Sequence, residues 1–159
     1  MELSIGKAEL QKGLARIQAI VEKRNSMPIL ANVLMEASLD GDQGILILSA
    51  TDLEVGIRGE QEAVVETAGS VTVGAKKLFE IVRELPEDDI QLKVTSNNYL
   101  DIRCQRSHFT LAGTASGEYP TLPDFLPEKT VSVPSDEFAM MIERTMYAAS
   151  IDETRYNLN

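Results

Sequence analysis

Three short strings limit what this chain can fold into: Leu3-Ser4-Ile5-Gly6-Lys7-Ala8-Glu9-Leu10, Val71-Thr72-Val73-Gly74-Ala75-Lys76-Lys77-Leu78 and Val131-Ser132-Val133-Pro134-Ser135-Asp136-Glu137-Phe138. Each runs apolar, hydroxyl, apolar, then a Gly or Pro breaker, then an apolar residue four positions on. Alternation before the breaker predicts a strand, and the spacing after it predicts a helix. Their offsets of 68 and 60 residues make an internal repeat the better reading than chance.

The segments after the first two starts are also alike. A helical pattern from Lys7 to about Lys23 leads into alternating runs Val33–Leu39, Ile45–Leu48 and Leu53–Gln61, with Asp40-Gly41-Asp42-Gln43-Gly44 as a hairpin loop. The second pattern, Ala75 to Leu85, stops at Pro86 and is followed by Ile90–Val94, Tyr99–Cys104 and Phe109–Ala112, with a turn at Ser96-Asn97-Asn98. The expected fold is α+β: a strand–helix–three-strand unit repeated twice over residues 1–125, with helices on one face of antiparallel sheets. Residues 126–159 read as a linker and the truncated start of a second domain. There, strand Val131–Val133 and a helix from about Ser135 to Ala149 would leave Phe138, Met141, Ile142 and Thr145 without a sheet to cover, as in a piece of a longer protein.

Charge narrows the function. The 159 residues carry 15 Lys plus Arg against 25 Asp plus Glu, a net −10 that argues against a nucleic-acid partner if taken alone. Its distribution says otherwise: residues 6–24, Lys7 included, sum to +3, whereas residues 36–66 hold eight acids against the single Arg58. At ~100° per residue, Lys12, Arg16 and Lys23 share one helix face, with Leu10, Leu14, Ile17 and Val21 opposite. In the second helix Lys76 and Arg83 lie opposite Leu78, Ile81 and Leu85. For one helix alone a solvated lysine face is the commoner explanation. Two such faces on so acidic a chain point to helices turned to an anion and sheets turned to solvent.

Catalysis finds little support. His108 is the one histidine, and Ser107 beside it along a strand has the wrong geometry to be activated. Cys104, in an alternating run, reads as a small hydrophobe. Asp40-Gly41-Asp42 opens like a calcium loop but has Gly44, Ile45 and Thr51 where such a loop needs an oxygen ligand, Gly and Glu. No Gly-rich phosphate loop occurs, so neither metal nor cofactor is expected. One Cys fits a reducing compartment, no run reaches ~18 apolar residues, and the amphipathic N-terminus lacks a signal peptide's apolar core, which together imply the cytoplasm. The competing reading is an acidic α+β interaction scaffold that binds an acidic protein and no nucleic acid.

Several strings in fixed order carry a resemblance: Met27-Pro28-Ile29-Leu30 with Asn32-Val33-Leu34, Ser49-Ala50-Thr51-Asp52-Leu53-Glu54, Val73-Gly74-Ala75-Lys76-Lys77-Leu78, Glu84-Leu85-Pro86, Glu118-Tyr119-Pro120 with Leu122-Pro123, and Asp152 through Asn159. Across all 159 residues the chain resembles the N-terminal part of the bacterial DNA polymerase III beta-subunit family, the sliding clamps. That resemblance implies a homodimeric ring of three similar domains per subunit around duplex DNA, helices lining the hole. It implies further partners, namely DNA polymerase III, clamp-loader subunits, and other polymerases and repair proteins that dock a short peptide motif.

Carried over by position, Arg24, Lys76 and Arg83 become the leading DNA contacts, joined by Lys12, Arg16 and Lys23 of the stripe and by Tyr156 and Asn157 in a loop that approaches DNA. Arg155 and Leu158 match the edge of the peptide cleft. Phe109, Thr110 and Leu111 match the strand that meets the other subunit, next to Lys77, Ile81 and Leu85.

Overall fold

The structure, a computed structural model, describes residues 1–21, 27–40, 43–121 and 130–150. The chain divides into two units, Met1–Leu122 and Pro123–Asn159. In the first, strand β1 (Glu2–Gly6) runs straight into helix α1 (Lys7–Val21). A 3₁₀ turn, Pro28–Ala31, precedes β2 (Asn32–Asp40), β3 (Gln43–Thr51) and β4 (Gly56–Thr67). The order then recurs as β5 (Gly69–Gly74), α2 (Ala75–Glu84), β6 (Asp89–Val94), β7 (Tyr99–Cys104) and β8 (Ser107–Thr114). Strand, helix and three strands therefore occur twice.

The pairing shows why two copies are needed. All ladders are antiparallel and the eight strands close in the order β1-β4-β3-β2-β5-β8-β7-β6. Within each repeat the second, third and fourth strands form a meander. Between repeats the exchange is reciprocal: β2 pairs with β5, the opening strand of the second repeat, and β6 pairs with β1, the opening strand of the first. The breakers occupy matching places, Gly74 opposite Asn32 and Gly6 opposite Asp89. Closure of the sheets was not foreseen in the sequence, because periodicity gives a strand's buried face and not its neighbour.

Leu10, Leu14 and Ile17 of α1 and Leu78 and Val82 of α2 are at most 2% exposed, packed with Leu46, Leu48, Ile90, Leu92, Leu100 and Ile102 from the strands. Each such side chain contributes about 1.5–3 kcal/mol by burial. Gly13 sets the depth of α1: a β-carbon there would lie 2.8 Å from Gln61 Cδ and 2.9 Å from Leu48 Cδ1.

Two sequence expectations are corrected. The third alternating run was expected at Leu53–Gln61, but the strand starts at Gly56 and continues to Thr67. Asp52 Oδ1 accepts the N–H groups of Glu54 and Val55, and Leu53 takes φ 77°, so an Asx turn occupies those positions. In the second unit Val131–Val133 is not a strand: the described residues 130–134 before α3 (Ser135–Met146) have no regular structure, and no described strand pairs with them. No residue of α3 is buried; Phe138, Met141 and Ile142 are exposed and Thr145 Oγ1 bonds back to the carbonyls of Met141 and Ile142. Lys7, one of the cations of the basic segment, is turned inward. Its Nζ donates to the Leu85 carbonyl at 2.6 Å and pairs with Glu87 at 2.9 Å, which ties the start of α1 to the end of α2.

Tyr119 is a second tie. Its hydroxyl accepts the Thr51 N–H and donates to the Asn32 carbonyl, both at 3.2 Å, and burial pushes its pKa up from 10.0. A raised pKa gives stability that is present below the unfolded tyrosine's pKa and is lost as pH rises through the folded one. Tyr119→Phe should cost about 1–2 kcal/mol at neutral pH by removing both bonds. The urea midpoint of the parent should then fall faster than the variant's above about pH 10. Parallel curves would show that this hydroxyl is not what holds β2 to β3 there.

Candidate nucleic-acid interface

Apolar burial decides which side chains each helix offers to solvent. With Leu10, Leu14 and Ile17 inward, α1 shows Lys12 and Arg16; with Leu78, Ile81 and Val82 inward, α2 shows Lys76, Lys77 and Arg83. The two helices are neighbours, and a groove of about 220 Å³ runs between them, lined by Ala15, Gln18, Lys76, Phe79, Glu80 and Arg83. Lys77 pairs with Glu80 at 3.5 Å and Arg83 Nε with Glu84 at 3.0 Å. Both pairs are exposed, and such pairs hold their cations weakly. Lys12, Arg16 and Lys76 form no ion pair among the described residues.

The strands carry the opposite sign. Along β4, Glu60, Glu62 and Glu66 are exposed while Gln61 and Val65 between them are buried, so alternation puts the carboxylates on the outward face. Helix-pair cations on one side and strand carboxylates on another give the charge segregation physical form. Long, unpaired Lys and Arg side chains are suited to phosphate oxygens, and contacts of that kind carry no base information.

The structure does not bring every expected site residue here. Lys23, Arg24, Arg155, Tyr156, Asn157 and Leu158 lie outside the described residues. Of the subunit-contact set, Lys77 is exposed, whereas Ile81 and Leu85 are 8% and 4% exposed and belong to this unit's own core, since the apolar face of α2 is used internally. Phe109 is 42% exposed, Leu111 packs partly on the core, and the Thr110 hydroxyl donates to Asp101 at 2.7 Å. Strand β8 pairs with β7 over Ser107–Ala112 but meets β5 only at Gly113 and Thr114, so among the described residues Phe109–Leu111 lies on an edge open on one side.

His108 Nε2 lies 3.7 Å from the Asp101 carboxylate, on the exposed side of β8. Cys104 is 2% exposed with Sγ against the Pro86 carbonyl, and burial, reinforced by the charge of Asp88, pushes its thiol pKa up. A thiol held in that state is a poor nucleophile. Among the described residues no three of His, Cys, Asp or Glu gather as metal ligands, and no helix is long and apolar enough to cross a membrane. One basic residue was missed: Arg58 of β4 lines a cleft with Arg16. Its signal was its isolation among eight acids.

Three comparisons bear on what this arrangement is. The family model for the DNA polymerase III beta subunit, N-terminal domain, matches residues 1–123. The beta sliding clamp of Caulobacter vibrioides is 38% identical over 161 residues, covering 100% of this chain and 42% of that protein. That of Vibrio cholerae is 32% identical over 165 residues, covering 100% of this chain and 43% of its own. Among solved structures, Caulobacter crescentus pol III beta superposes with a TM-score of 0.87 at 38% identity, covering 100% of this chain and 42% of that one. The DNA polymerase sliding clamp of Bacillus subtilis gives 0.89 at 27% identity, covering 98% and 42%. The chain thus spans less than half the length of these relatives.

Proposed function

This chain belongs to the DNA polymerase III beta subunit family, and from that premise we propose that it forms the first domain, and begins the second, of a sliding clamp. In this reading residues 1–125 are the first clamp domain and 126–159 open the next. The clamp encircles duplex DNA in the cytoplasm as a homodimeric ring and acts as a processivity factor for DNA polymerase III rather than as an enzyme.

The observation that carries the proposal is the outward face of the α1–α2 pair. Lys12, Arg16 and Lys76 stand there without ion pairs among the described residues, on a chain of net charge −10 whose β4 faces out with carboxylates. An enclosing protein is held by topology, so its contacts should be weak, mobile and indifferent to sequence. Phosphate contacts screened within ~8–10 Å meet that need, whereas bidentate base contacts would stop sliding. Lys23, Arg24, Tyr156 and Asn157 extend this surface in the proposal. The open edge at Phe109–Leu111, with Lys77 nearby, takes a strand of the second subunit; Ile81 and Leu85 support it from the core. Arg155 and Leu158 edge the cleft for the short peptide motif of polymerases, clamp-loader subunits and repair proteins.

Retention on circular DNA tests the reading. A full-length protein containing this chain, loaded on nicked circular plasmid, should co-elute in gel filtration and be released when the plasmid is linearised. The 159-residue chain alone should bind only in the non-specific range, near ~10⁻⁴ M or weaker at physiological salt, with no retention. Retention of the full-length protein that survived linearisation would mean tight binding instead of enclosure. Salt-independent failure to bind DNA at all would favour the acidic interaction scaffold.

A further inference from the structure

A cleft of about 120 Å³ lies where α1 crosses β4, lined by Gly13, Arg16, Leu48, Arg58, Gly59 and Gln61 among others. Gln61 is 5% exposed, yet neither end of its carboxamide has a hydrogen-bond partner among the described residues; Oε1 is buried without one. Two glycines leave the amide its room. A β-carbon at Gly13 would lie 3.0 Å from Oε1, and one at Gly59 would lie 3.3 Å from Nε2. At the mouth stand Arg16 and Arg58, neither in an ion pair among the described residues. A buried carbonyl oxygen without a partner costs stability, and cations at the rim of a cleft favour an anion in it. Both needs are met if one ligand supplies negative charge, hydrogen-bond acceptors and a single donor.

We propose that this cleft is a binding site for a hydrogen-phosphate group. Its unprotonated oxygens would accept from Arg16, Arg58 and Gln61 Nε2, and its P–OH would donate to Gln61 Oε1. The room is that of about four waters at ~30 Å³ each, enough for a tetrahedral oxyanion. An internal DNA phosphodiester has no P–OH, so the site differs in kind from the sliding surface. Its occupant is inorganic phosphate, which keeps an O–H at neutral pH, or a terminal phosphomonoester in its monoanionic form, which shares the chemistry. The site requires neither a ring nor the clamp reading.

Calorimetric titration of the 159-residue chain with inorganic phosphate, at constant ionic strength in chloride, is the test. Saturable binding is expected, weakened about tenfold or more in Arg58→Ser and in Gln61→Met, and unchanged in Arg106→Ser, an exposed position outside the cleft and the helix pair. Sulfate, without an O–H at neutral pH, should bind about tenfold more weakly than phosphate. A 5′-phosphorylated dinucleotide distinguishes the sources. Competition with phosphate makes a strand end an occupant, and no competition leaves the free ion; either result supports the site. Heat denaturation covers the case of a variant that does not fold, because phosphate should raise the parent's melting temperature and sulfate should raise it less. No saturable binding, or equal binding in a folded Gln61→Met variant, would overturn the proposal and leave the amide bridged by water.

Discussion

Replacing Lys12, Arg16, Lys76 and Arg83 together with glutamine should flatten the salt dependence of duplex binding by this chain. Each phosphate contact adds a slope of ~0.9 in log K against log salt, so removing four should flatten the slope by about 3.6. Over a fourfold rise in salt the parent should therefore lose about two orders of magnitude more affinity than the variant. All four side chains are exposed and contribute no core packing. Glutamine keeps helix propensity close to that of Lys and Arg, so loss of binding will not be loss of α1 or α2. Fluorescence anisotropy with two unrelated duplexes supplies the readout. Both should weaken equally, since contacts to phosphate carry no base information. A variant with the parent's slope would exclude the helix pair as the DNA-facing surface. Selective loss of one duplex would point to base readout, which is incompatible with sliding.

Much of this surface was legible in the sequence, for a specific reason. Leu10, Leu14 and Ile17 recur at helical spacing and are buried as expected, so the opposite side of α1 had to be solvent-facing. The repeat was legible for the same reason, with a two-residue period giving way to 3.6 at each glycine breaker. Lys7 shows where local period ceases to decide a side chain's surroundings. By period it sits beside the buried face, and only the fold brings Leu85 and Glu87, about eighty positions away, to its ammonium group. Gln61 is similar: a polar residue on an alternating strand predicts nothing about a cleft that exists because Gly13 and Gly59 lie on either side of it. The turn at Asp52 could have been read, since Asx residues bond their own backbone two residues on, but the apolar Leu53 and Val55 extended the strand pattern through it. Residues joined by local period were visible; residues joined by closure of the sheets were not.

The glycine at the end of β8 bears most directly on that closure. Gly113→Ala should destabilise the first unit by about 2–3 kcal/mol, although Gly→Ala at an unstrained site usually stabilises by ~0.4–1 kcal/mol. A β-carbon at Gly113 would lie 2.5 Å from the Asn98 carbonyl oxygen, 2.7 Å from that of Thr72 and 2.9 Å from Val71 Cγ2. The first two are backbone atoms with little freedom. Asn98 is held at φ 60° in the β6–β7 turn, its N–H bonded to the Thr95 carbonyl, and Thr72 is in the β5 ladder. Strand β8 must therefore move, and its junction with β5 consists of two pairs, Thr72 with Thr114 and Val73 with Gly113. Near that short seam are the contact between the Thr72 and Thr114 hydroxyls and the 2.7 Å bond from Ser70 to Ser116. Gly117→Ala is the control, because a β-carbon there meets nothing within 4 Å. Urea midpoints should fall for Gly113→Ala and hold or rise slightly for the control, with amide exchange at Thr72 and Val73 quickened only in the former. Equal midpoints would show that the seam yields freely. The consequence reaches the proposed subunit contact, since Gly113 lies two residues beyond Leu111 and anchors the far end of the open edge that would receive the partner's strand.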